Sequence, residues 1–102
     1  MKRKLLTEHL QTLRKQIIDL LQEQELTARE ISQALGVREK EVYEHLGHIG
    51  RSASRKDLQL IVRPSCCLGC GYVFIDRKRL TRPGRCPKCR GSHIAAARFT
   101  IV

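Results

Sequence analysis

Between Leu6 and Leu21 apolar residues return every three or four positions, as Leu6, Leu10, Leu13, Ile17, Leu20 and Leu21. That period places them on one stripe of an α-helix and predicts a helix over about residues 7–23. Thr27-Ala28-Arg29-Glu30 has the form of a capping box. In such a box the Thr27 hydroxyl accepts from the Glu30 amide while the Glu30 carboxylate accepts from the Thr27 amide. A second helix should therefore run to about Leu35, burying Ile31, Ala34 and Leu35, with Gly36 as the left-handed residue that ends it. A third helix is expected over about 38–50, turning Val42, Leu46 and Ile49 inward. Near Arg51 the pattern changes. Residues 58–63 read as a strand stopped by Pro64, and strands at about 72–75 and 94–102 flank the second of two cysteine pairs.

Residues 27–49 have the pattern of a helix-turn-helix: a capped helix, Gly36 at the turn, Val37 closing the core, and Val42 and Leu46 beneath the next helix. Any three-helix bundle shows the same periodicities. In DNA-binding versions the N-terminal residues of the third helix meet base edges in the major groove. Arg38, Lys40 and Tyr43 are the candidates here, and less directly His45 and His48. Glu39, Glu41 and Glu44 bring the exposed face of that helix close to neutral, and Arg38 stands where a Ser or Thr cap is preferred. Arg51, Arg55 and Lys56 follow as candidate phosphate contacts, which position a protein without reading sequence. The stretch they occupy forms either a short wing or a reduced wing whose strand joins the module that follows.

Charge sharpens this picture. The 102 residues carry a formal net charge of +10, which favours nucleic acid or another anionic surface as partner. Basic and acidic residues cancel over 1–50, so the whole excess lies in 51–102. Much of it sits between, within and just after the cysteine pairs, at Arg77, Lys78, Arg79, Arg82, Arg85, Lys88 and Arg90. A charge run is usually a solvated face; this one is dense enough to be read also as an arm against a phosphate backbone, with Arg77, Lys78 and Arg79 as its contacts.

Cys67-x-x-Cys70-Gly71 and Cys86-x-x-Cys89-Arg90-Gly91 repeat one form, with 15 residues between Cys70 and Cys86. This is the spacing of a four-cysteine zinc site. Two residues between cysteines let a tight turn aim both sulfurs at one ion, and two facing turns complete a tetrahedron. Disulfides would suit a secreted protein and leave one of the five cysteines over. A redox pair usually opens a helix after a strand, which fits neither position. Iron remains chemically open, since soft thiolate sites accept either metal. Cys66 could replace Cys67, and His93 could replace Cys89, but the symmetry of the two knuckles favours the four cysteines and one structural zinc ion.

Glu41-Val42-Tyr43-Glu44-His45-Leu46 leading into Arg51-Ser52, then Pro64, Cys67-x-x-Cys70-Gly71-Tyr72-Val73-Phe74, Arg85-Cys86-Pro87-x-Cys89 and Phe99-Thr100-Ile101 span nearly the whole chain. On these residues it resembles a family of prokaryotic, chiefly archaeal, predicted transcriptional regulators in which a helix-turn-helix is fused to a zinc ribbon. The resemblance implies duplex DNA as partner and transcription control as role.

The expectation is therefore an α+β protein: a three-helix, winged helix-turn-helix over 1–63, then a small β zinc ribbon over 64–102. The alternatives are an RNA- or ribosome-associated basic module, and a protein adaptor of the transcription machinery met by the acidic third helix. The leucine stripe of the first helix could also serve a homodimer. No enzyme or small-molecule substrate is expected, because the chain offers no nucleophile–base pair, no phosphate-cradling glycine loop and no paired carboxylates. No apolar run approaches the roughly 20 residues of a membrane span. The basic start lacks the apolar stretch and cleavage site of a secretory signal, which makes a cytoplasmic location the default.

Overall fold

The computed structural model describes residues 2–52 and 57–102, with side chains described from residue 11. Its order is α1 (Lys2–Glu23), β1 (Leu26–Thr27), α2 (Ala28–Leu35), α3 (Glu39–Ser52), β2 (Leu60–Arg63), β3 (Cys66–Cys67), β4 (Ile94–Ala95) and β5 (Arg98–Ile101). In α1 the described part of the leucine stripe turns Leu13, Ile17 and Leu21 inward, each buried. After Glu23 the chain extends into β1, whose last residue, Thr27, is also the cap of α2.

The capping box forms as the sequence predicts. The Glu30 amide donates to the Thr27 hydroxyl at 3.2 Å, and the Thr27 amide donates to the Glu30 carboxylate at 2.9 Å. Gly36 ends α2 at φ 68° and donates its amide to the Ser32 carbonyl. A side chain there would add about 1–2 kcal/mol of steric cost. The inward stripe of α2 runs Ala28, Ile31 and Leu35, so Ala34, expected inside, lies about a quarter turn off it and is exposed. In α3 Val42, Leu46 and Ile49 are buried as expected.

The sheets depart further from expectation. The strand expected over 94–102 is two strands with different partners. β4 pairs antiparallel with β3 inside the ribbon. β5 instead lies between β1 and β2 in a three-stranded antiparallel sheet. Phe99 and Ile101 of β5 are buried in the same core as Ile17, Leu21, Ile31 and Leu46. The Thr100 hydroxyl donates to the Leu21 carbonyl of α1 at 3.0 Å. β5 thus belongs to the helical unit, because its apolar alternation needs a buried face wider than the ribbon offers. The chain leaves that unit after β2, forms the ribbon, and returns as β5; in effect the ribbon stands where the tip of a wing would be. Residues 72–75, expected as a strand, form one bridge instead, Val73 to Cys66, with bonds from the Cys67 amide to the Tyr72 carbonyl and from the Phe74 amide to the Ser65 carbonyl. Among the described residues no helix is long and apolar enough to cross a membrane.

Candidate metal centre and nucleic-acid interface

The two knuckles share one backbone design. The Gly71 amide donates to the Cys67 carbonyl at 2.8 Å, and the Arg90 amide to the Cys86 carbonyl at 2.9 Å. Both donors take the left-handed conformation, Gly71 at φ 81° and Arg90 at φ 62°. The second knuckle thus places Arg90, and not the following glycine, in the strained position. Gly91 instead approaches a sulfur closely. Its amide donates to the Cys89 sulfur, and an added Cβ would meet that sulfur at 3.3 Å.

The four sulfurs of Cys67, Cys70, Cys86 and Cys89 lie within 4.8 Å of one another. Across the knuckles, Cys67 and Cys89 are 3.5 Å apart and Cys70 and Cys86 are 3.6 Å apart. A zinc–sulfur bond of about 2.3 Å requires tetrahedron edges of about 3.8 Å, whereas a disulfide requires about 2.05 Å. The cluster fits one tetrahedral zinc ion and no disulfide. Amides favour the charged form at Cys67 and Cys86; at Cys70 the Tyr72 amide does so too, but burial and the neighbouring thiols push that thiol up to about 11. Those of Lys88 and Cys89 donate to the Cys86 sulfur at 3.4 and 3.5 Å. Burial works against the Cys86 thiolate, yet these amides and the neighbouring thiols bring its pKa down to about 7. The Cys70 amide, with burial opposing, likewise lowers Cys67. Cys66 stands outside the cluster. Cys66 and Cys67 are consecutive in β3, so their side chains leave on opposite faces, and only that of Cys67 is buried. His93 is exposed and is not part of the cluster either.

The candidate nucleic-acid residues divide into groups. Arg38 and Lys40 are exposed at the N-terminal end of α3, and Arg51 is exposed in its last turn. Tyr43 is half-buried: Glu39, Lys40, Tyr43 and Glu44 share one cleft with Thr81 and Arg82 of the ribbon loop. Burial, with the Glu39 charge, raises the Tyr43 hydroxyl pKa against the nearby Arg82 amide. Lys78 and Arg79 are exposed. Arg77 is engaged with its own loop, donating through Nε to the Thr81 carbonyl at 3.0 Å and through a terminal nitrogen to the Thr81 hydroxyl at 3.2 Å. Arg55 and Lys56 lie outside the described residues. His45 is no reader of bases, for it is buried between α3 and α1, and its Nδ1 accepts from Arg14 Nε at 3.2 Å. Arg82, which the structure sets against α3, was visible in sequence only as one cation of the basic run.

A family model for the N-terminal domain of PF0610-like proteins matches residues 12–61. The solution NMR structure of protein PF0610 from Pyrococcus furiosus is similar over 89% of this chain and 89% of that chain, at 33% identity and a TM-score of 0.74. The chain belongs to the PF0610-like family. No curated protein matches it. The fold of this chain matches that NMR structure: an α+β architecture of three helices and small antiparallel sheets, with a cysteine cluster in its C-terminal half consistent with a zinc ribbon.

Proposed function

We propose that this member of the PF0610-like family is a DNA-binding transcriptional regulator whose ribbon holds one structural zinc ion. The observation that carries the proposal is the cleft in which Lys40 and Tyr43 of α3 meet Thr81 and Arg82 of the basic loop. Through it the cations of the ribbon stand beside the helix that would enter the major groove. Glutamates leave α3 itself nearly neutral, so most of the phosphate affinity falls to the loop, while Arg38 and Lys40 are left to meet base edges. Arg51 supplies a cation at the far end of the helix, and Arg55 and Lys56 follow it in sequence. Arg77 orders the loop, and Lys78 and Arg79 face outward from it. Tyr43, held in the cleft, serves better to seat the loop than to read a base.

Zinc, when bound, cross-links the two knuckles; four thiolates close its coordination and leave no position for chemistry. The protein acts by binding alone, with no catalytic step, small-molecule substrate or membrane involved. The acidic face of Glu39, Glu41 and Glu44 gives a second reading some support, in which α3 docks on a protein of the transcription machinery.

Selection of genomic duplex fragments by the zinc-loaded protein, at physiological salt with excess competitor DNA, tests the proposal. An enriched motif is expected, and two-fold symmetry in it would mark a homodimer. Binding without enrichment, or none, would overturn sequence-specific regulation in favour of an RNA or protein partner.

A further inference from the structure

Among the described residues β2 is an edge strand, with β5 on one side only. Gln59 and Val102 exchange both backbone hydrogen bonds, at 2.9 and 3.0 Å. Antiparallel pairs alternate between bonded and non-bonded, so Ile61 and Arg63 also turn their amides and carbonyls towards β5. Those of Leu60 and Val62 then point outward, without a partner strand among the described residues. Val62 has a second role. Together with Pro64, Phe74, Ile75, Arg77 and Arg79 it lines a groove of about 290 Å³. Ile75 is 77% exposed at this groove and Val62 39% exposed. Among the described residues two arginines and no carboxylate contribute to the lining.

An open strand edge, an apolar groove on the same residue and a cationic rim match one kind of ligand. We infer that the β2 edge and this groove take up an extended segment of a partner protein, rich in Val, Ile, Leu or Phe with Asp or Glu beside them. The backbone of that segment pairs with Leu60 and Val62 as an added strand. Its apolar side chains enter the groove beside Phe74 and Ile75, and its carboxylates meet Arg77 and Arg79. A phosphate backbone would use the arginines alone and leave the exposed isoleucine and valine without a partner.

The test is selection of a random dodecapeptide display library on the zinc-loaded full chain, with Ile75→Asp as counter-target. Because Ile75 is exposed, the substitution leaves the core intact. Acidic-apolar peptides are expected to be enriched, and a selected peptide should lose affinity about tenfold or more on the Ile75→Asp variant. In titrations of that peptide the Leu60 and Val62 amides should shift and exchange more slowly. No enrichment, or peptides that bind the variant equally well, would overturn the inference. So would duplex DNA moving the Val62 and Ile75 resonances while no peptide does.

Discussion

If the cluster binds zinc as proposed, replacing Cys86 by serine removes one of four ligands and, with it, the cross-link that folds the ribbon. If helices and ribbon were independent units, the helices would be unaffected. The position of β5 requires otherwise. Between Arg63, the end of β2, and Arg98, the start of β5, lie 34 residues. With the ribbon folded they hold the two strand ends together. With it unfolded they become a loose loop that must close each time β5 docks on α1 and β2. For a loop of that length the chain-entropy relation gives a cost of about 3–4 kcal/mol. That is a large share of the roughly 5–15 kcal/mol by which small domains are stable. The assay is denaturant unfolding followed by helical circular dichroism, comparing zinc-loaded wild type with Cys86→Ser. A second chain separates entropy from damage. Arg63 and Arg98 fall on a bonded pair of the ladder, which suits a two-residue Asn-Gly turn replacing residues 64–97. That chain should regain most of the lost stability without zinc. Helices in Cys86→Ser as stable as in wild type, or no recovery in the short-turn chain, would refute the reasoning.

Phe99→Ala should cost about 3–5 kcal/mol in the same unfolding experiment, the usual range for emptying a fully buried aromatic site. His45 gives a pH dependence of known sign. Burial, then the Arg14 charge, lowers its pKa below 6.5 in the folded protein. As pH falls below that value the unfolded chain takes up the proton first, so stability falls with acidification. Thermal unfolding of His45→Gln at matched zinc should show a weaker acid slope than wild type. If the ribbon loop touches phosphates, Lys78→Gln with Arg79→Gln should reduce the salt slope of DNA binding by about 0.9 for each lost contact. Arg77 is best left in place, since it holds Thr81.

Much of this molecule is local, and what is local was legible. The capping box at Thr27 and Glu30, the turn at Gly36 and the inward stripes of α1 and α3 follow from spacings of three and four residues, because a helix satisfies its own backbone. The cysteine cluster was equally legible: each knuckle is a short turn whose two sulfurs are aimed by residues beside them in sequence, and the second differs from the first in that Arg90, and not a glycine, takes the left-handed place.

What depended on distant partners was not legible. His45 stands among the base-contact candidates by sequence, because Arg14, which lies against its ring, is 31 residues away in the chain. β1 is two residues long and exists as a strand because β5 lies beside it. Above all, the alternating residues 98–101 fit either sheet by pattern alone. Only packing assigns them to the helical core, where Phe99 and Ile101 bury more apolar surface than the zinc ribbon has to offer.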